Sequence, residues 1–348
     1  MILCKQKFYF LFIFFVFTIL HTFGQDPHFS QFYANPLYLN PAFAGTVNGA
    51  RFSINFRDQW PAIPGNFVTF SGSYDQHIDA MHGGIGVLVS ADVVGKNLLY
   101  TYNAGAIYNF RAQVAREFNL QFAVQAGYSQ TTLDWNRLLF ASQLKDIPVD
   151  IDTPEGFDVK KSQFDLAVGM VGYTPYLYFG LAVHHLLPLN RSLSQWTLGS
   201  LRLKWTAHIG GKITVKQKVK DEINFGDIFF YPNIVFISQG LKDTTRSHNK
   251  QNGTFHYLHE GFYFNFYPFT VGAWLRHNFN NLDAFIVTCG IEYKIFRIGY
   301  SYDFNLTKLE GTGGAHEVSL QFFIPYSPKD RSSRKKYQRI APVDCPRF

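Results

Sequence analysis

The sequence predicts an all-β chain, a transmembrane outer-membrane antiparallel β-barrel of about 14 strands with an N-terminal arm. Three observations carry that expectation. From Ala50 onward apolar residues recur with period two, over stretches long enough to cross a bilayer at a tilt. Phe, Tyr and Trp make up 18% of the 348 residues, so a sheet this aromatic either buries both faces or shows one to lipid. Beyond the leader, no run of ~18 uncharged apolar residues could cross as a helix.

Residues 1–24 read as a secretory signal peptide. Lys5 and Lys7 precede an apolar run from Phe8 to Leu20, and small Gly24 stands just before Gln25. Residues 25–49 form the arm, "QDPHFSQFYANPLYLNPAFAGT" and its continuation, with Asn35-Pro36 and Asn40-Pro41 among Phe29, Phe32, Tyr33, Tyr38 and Phe43. Proline lacks a backbone donor and disfavours helical backbone at the residue before it, so the arm is expected to be neither helix nor central strand. Each Asn can close a local turn with its side chain. Such an arm can fold back into the lumen as a plug or lie against a partner. Its candidate residues are Phe32, Asn35, Pro36, Asn40, Pro41 and Phe43.

Residues 50–326 are expected to form the barrel. In "RFSINFRDQW", Phe52, Ile54 and Phe56 oppose Ser53, Asn55 and Arg57. In "FNLQFAVQAGY", Phe118, Leu120, Phe122 and Val124 oppose Asn119, Gln121 and Ala123; in "HEVSLQFFI", Val318, Leu320 and Phe322 oppose Glu317, Ser319 and Gln321. Further strands are expected near 66–75, 84–92, 99–110, 164–173, 176–185, 200–212, 228–238, 255–266, 268–278, 283–293 and 295–304. Charged residues alternate with apolar ones, as Lys204 and His208 do with Leu203, Trp205 and Ile209, which suggests a wet interior and an oily exterior. A soluble sandwich would also alternate but rarely needs so many long strands. Aromatics near strand ends, including Tyr176, Trp205, Tyr267, Trp274 and Tyr293, fit interfacial girdles.

Arg57 and Arg276 are candidates for a lumenal charge network with Glu292 and Asp303, or with Asp58, because charges inside a membrane find partners. An anion site on the two arginines is the alternative. Longer connections fall near 131–163, 186–199, 216–227 and 239–254. Residues 327–348 form a basic tail, read as solvated chain or as a docking arm for acidic partners or anionic headgroups.

The formal charge of +7 lies outside the barrel: two positive charges belong to the signal and a net five to the tail, leaving residues 25–326 neutral. Nucleic-acid binding is not expected. Neither a metal nor a cofactor is expected. Adjacent His184 and His185 point to opposite faces of a strand, as do His256 and His259. Ser319 and His316 diverge in the same way, and no activated nucleophile stands out, so the chain does not read as an enzyme. "HGGIGV" lacks the Lys-Ser/Thr of a phosphate loop and reads as a turn entering a strand. Cys289 lies mid-strand and Cys345 in the tail, which is no disulfide framework.

The arm, with "FRDQWPAIPG", "GIGVLVSADVVG", "GYSYDFNLTKL", "AHEVSLQF" and the closing "CPRF", resembles the PorP/SprF family of type IX secretion membrane proteins. The resemblance implies an outer-membrane barrel supporting export or surface attachment of a particular secreted protein, such as a gliding adhesin. The partners it implies are a secreted surface protein carrying a type IX secretion C-terminal domain, periplasmic or outer-membrane type IX components, and the lipid bilayer. The basic tail is longer and more charged than the family pattern requires. The rival expectation from the residues is a passive porin or ligand channel, needing only barrel and polar lumen.

Overall fold

The computed structural model describes residues 26–47, 49–115, 117–138, 159–190, 199–216, 228–243, 254–279, 281–307 and 311–326. The expected leader and basic tail lie outside the described residues. In chain order the strands are β1 (Gly49–Gln59), β2 (Phe67–Ile78), β3 (Gly83–Val94), β4 (Leu99–Gln113), β5 (Asn119–Leu133), β6 (Lys160–Tyr173), β7 (Leu177–His184) and β8 (Leu189–Asn190). There follow β9 (Gly199–Gly211), β10 (Ile213–Lys216), β11 (Ile228–Asp243), β12 (Thr254–Phe266), β13 (Phe269–His277), β14 (Leu282–Tyr293), β15 (Phe296–Asn305) and β16 (Ala315–Pro325).

Neighbours pair antiparallel all the way round. The first and last strands meet from Gly49 opposite Pro325 to Gln59 opposite Ala315, and β9 meets β11. Short β8 pairs with β9 and prolongs β7, while β10 pairs with β11 and prolongs β9, so the sixteen segments make a closed barrel of fourteen staves. Closure leaves the staves without unpaired backbone toward lipid. Three strands run further than the apolar alternation alone indicates. Thr131 and Thr132 still pair with Lys161 and Lys160, and Gln239 with Phe255, because a ladder does not need apolar side chains to continue.

Burial is inverted relative to a soluble sandwich. On β1, Ile54 is 53% exposed and Asn55 1%; on β9, Leu203, Trp205 and Ile209 face out while Lys204, Thr206 and His208 are buried. Alternation with apolar residues outward is what a lipid-facing barrel requires. The girdle expectation needs one correction: Trp274 is buried in the lumen against Phe32 and Tyr263, whereas Tyr176, Tyr267 and Tyr293 lie exposed in or beside turns. Inward parity on β13 overrides the preference of Trp for an interface. His185 leaves the strand with φ 59°, so it and His184 are both buried, where ideal strand geometry would have separated them.

The core lies inside the barrel and is built by the arm. Phe32, Leu37, Leu39 and Phe43 pack with Tyr173, Tyr231, Val235, Tyr263, Trp274 and Ile286 of the wall. The arm is not free of helix, contrary to the sequence expectation. It contains one α-turn, α1 (Pro36–Leu39), and a 3-10 turn at Pro41–Phe43, each opened by its proline. Proline breaks helix interiors but suits the first position, where its missing N–H would have had no partner.

Candidate functional site

The site is the lumen together with the arm that occupies it. Nearly every residue from Asp26 to Thr46 is buried. Connections at the Gly49/Pro325 end are short, two residues each between β12 and β13 and between β14 and β15. Short turns mark the periplasmic end of such barrels. The arm therefore runs from the opposite, outer half of the lumen down to the rim where β1 begins.

At its outer end Asp26 meets three wall groups. Its carboxylate lies 2.6 Å from His185 Nε2 and 3.8 Å from Lys204 Nζ, and accepts from Gln239 Nε2 at 3.2 Å. His185 reaches Asp165 with its other nitrogen at 2.8 Å. His28 follows, edge-on to Tyr257. Burial, then the positive charges of Lys204, Arg276 and Arg57, push its imidazole down to about 3, so it is neutral near pH 7.

One turn further, the chain crosses a buried charge cluster. The Ser30 and Gln31 N–H groups both donate to the Glu317 carboxylate, at 2.7 and 3.1 Å. Ser30 Oγ donates to Asp303 at 2.8 Å and accepts from Arg57 at 2.8 Å. Arg57 also contacts Asp303 at 2.9 Å and Glu317 at 3.2 Å, and Arg276 donates to Asp303 at 2.9 Å and to Asp283. Each buried arginine thus has two carboxylate partners, in a site otherwise costly for any charge. The structure brings Arg57, Arg276 and Asp303 together, but not Glu292. Glu292 has the inward parity of its strand but sits toward the periplasmic end, where it pairs with Arg297 at 3.0 Å. Asp58 has the opposite parity and accepts from Asn66.

Below the cluster, aromatic and turn contacts take over. Phe32 packs edge-on against His259 and beside Trp274, and Tyr33 donates to Asn233 at 2.9 Å. Asn40 closes its turn by accepting from the Ala42 N–H at 2.9 Å, while its Nδ2 donates to Met170 and Leu181 carbonyls of β6 and β7. Asn35 makes no such cap; its Oδ1 accepts from Ser71. Pro36 and Pro41 open their turns, and Phe43 stacks on His208 at 5.2 Å.

The wall also holds the arm by its main chain. Gln321 donates to the Ala34 carbonyl at 2.9 Å, Asn109 to those of Ala42 and Ala44 at 3.1 and 2.6 Å, Arg51 to that of Phe43 and Arg111 to that of Gly45. Asp75 accepts from the Gly45 N–H at 2.8 Å. Glycines make room where backbones touch: a methyl at Gly84 would lie 2.4 Å from the Ala44 carbonyl oxygen, and one at Gly169 2.1 Å from Asn40 Oδ1. Among the described residues no group of three His, Cys, Asp or Glu is placed to hold a metal ion.

Sequence reasoning missed Glu317, Ser30, Gln31, Asp26, Arg51 and Asp75 as site residues. The parity of their strands could have found Glu317, Arg51 and Asp75, which share the inward phase of Ser319, Ser53 and Ser73. The arm polar residues carry no such signal, since their direction is set by the path of the arm.

A profile for the type IX secretion system membrane protein PorP/SprF matches residues 21–322. No curated protein matches the chain. Among solved structures it is similar to the Pseudomonas putida toluene transporter TodX, at 10% identity and a TM-score of 0.47, over 83% of this chain and 93% of that one. It is also similar to the CymD monoaromatic hydrocarbon channel, at 11% identity and a TM-score of 0.45, over 84% and 93% of the two chains. With the family profile spanning the arm and nearly the whole barrel, the chain belongs to the PorP/SprF family of type IX secretion system membrane proteins.

Proposed function

We propose that this barrel is an outer-membrane accessory of type IX secretion that supports export or surface attachment of one particular secreted protein, such as a gliding adhesin, through protein-protein contact. It acts without catalysis. The secreted protein carries a type IX secretion C-terminal domain, and periplasmic or outer-membrane components of the machinery are further partners. Residues 1–24 are removed on export, residues 25–49 serve as plug and partner element, and the basic tail reaches periplasmic or membrane-surface acids.

The observation that supports this reading best is the arm inside the lumen, with Ser30, Gln31 and Asn40 bonded to strands on different sides of the barrel. A passive porin requires that path to be open. In the proposed role Phe32, Asn35, Pro36, Asn40, Pro41 and Phe43 fix the arm, and Arg57, Arg276 and Asp303 hold its outer half.

The test is affinity purification of the tagged native barrel from outer membranes in mild detergent, followed by mass spectrometry. The expected result is co-purification of a large secreted protein or type IX components. Recovery of the barrel alone, under conditions that keep other envelope complexes intact, together with ion conductance by the purified barrel, overturns the reading in favour of a channel.

A further inference from the structure

The wall grips the arm in part through groups that read the main chain of any peptide. Glu317 takes two consecutive N–H groups, and Gln321, Asn109, Arg51 and Arg111 each donate to arm carbonyls. At these seven arm positions, from Ser30 and Gln31 through Ala34 to Ala42, Phe43, Ala44 and Gly45, the wall binds main-chain groups that any peptide offers. Side chains are selected as well: Ser30 by Asp303 and Arg57, Gln31 by Ser319, Tyr33 by Asn233, Asn40 by the carbonyls of Met170 and Leu181, Phe32 by Trp274 and Phe43 by His208. A lumen lined in this way resembles a peptide-binding groove closed into a tube, with the arm as its resident ligand.

Charge narrows what else could bind. Arg57 and Arg276 already face Asp303, Glu317 and Asp283. An uncharged peptide leaves those pairs intact, whereas a charged one has to be desolvated among partners that are already engaged. From Pro27 to Val47 the arm carries neither carboxylate nor Lys or Arg. We infer that the lumen is an exchangeable peptide-binding site, and that an uncharged segment of a partner protein, rich in aromatics and proline-opened turns, occupies it when the arm is displaced. This rests on the plug reading above and assigns the partner's binding site.

The experiment uses the full chain with a protease site inserted directly after Val47. The barrel is folded in detergent, cut, and incubated with a fluorescein-labelled synthetic peptide of residues 26–47. The expected result is saturable labelling that excess unlabelled arm peptide competes away, with at least tenfold weaker binding of a scrambled peptide of equal composition. Exclusion of the labelled peptide from a cut barrel that still migrates as folded overturns the inference, and so does equal binding of the scrambled peptide. Failure here alongside recovery of secretion partners in the co-purification removes only the exchangeable site and leaves the accessory function standing.

Discussion

Ser30 and Glu317 stand 287 positions apart in the sequence and meet at 2.7 Å, the backbone N–H of one donating to the carboxylate of the other. That carboxylate also takes the Gln31 N–H and faces Arg57. The bond ties the arm to the strand that closes the barrel, so arm docking and closure are linked at one side chain.

Glu317→Gln removes the charge and one acceptor while leaving Arg57 buried. Arg57 keeps Asp303 as a partner, so what is lost is the charge-assisted bonding of Glu317 to the Ser30 and Gln31 amides and to Arg57, about 1.5–3 kcal/mol. The expected outcome is an arm cleaved by added protease at least tenfold faster, in a barrel that keeps its heat-modifiable migration. Unchanged protease resistance would remove Glu317 from the docking mechanism.

The two Asn-Pro pairs are not equivalent. Asn40 caps its turn and bonds two wall carbonyls, whereas Asn35 has no cap bond. Asn40→Ala should cost arm docking about 2–3 kcal/mol, from a lost cap and two lost bonds to wall carbonyls. Asn35→Ala should cost visibly less. Hydrogen exchange of the Ala42 and Phe43 amides measures both, and equal effects would contradict the assignment.

The fold was far more legible than the site. Period-two alternation locates strands because parity alone determines which residues meet lipid, and Ile54 against Asn55 is enough to orient β1. The arm offers no period. Its Asn-Pro pairs marked turns, but nothing local says that Asn40 points at β6 and β7, or that Gly84 and Gly169 are inward gaps for it. Gly84 read only as part of a turn entering a strand. Arg57 with Asp303 was expected because charges inside a membrane find partners; Glu292, expected with them, has inward parity yet lies at another height, which alternation cannot register.

Gly169→Ala turns that gap into a test. The new methyl would lie 2.1 Å from Asn40 Oδ1 and 3.0 Å from Pro41 Cγ, so the arm turn has to move while β6 keeps its ladder. Expected is an arm with lost protection in a barrel that still migrates as folded and keeps its strand content by circular dichroism. A fully protected arm would place the turn elsewhere.

Acid should loosen the outer end of the arm. His28 is held neutral by burial and by nearby positive charge, with a pKa near 3 against about 6.5 when exposed. A group whose folded pKa lies lower binds more protons once released, so docking weakens as pH falls below about 6.5. By pH 5 this amounts to at most about 2 kcal/mol from His28 alone. His28→Gln should show a smaller increase in protease access between pH 7 and pH 5 than the native chain, and an identical increase would exclude His28 as a contributor.

The outward face allows a test of the membrane assignment that is independent of the arm. Ile54 lies midway along β1, opposite Gly72 and Leu320, and is 53% exposed; Ile324 is equally exposed but sits at the rim, opposite Ala50. If these faces meet hydrocarbon, arginine at Ile54 must hold its charge near the bilayer midplane, which costs about 2–4 kcal/mol. At Ile324 the same side chain can reach headgroups and water, and the cost falls to about 0–1 kcal/mol. Urea unfolding in lipid vesicles compares Ile54→Arg with Ile324→Arg. Neither substitution removes a lumenal contact, so a difference between them reports depth in the bilayer, and equal, negligible costs would mean that the outward face is wet.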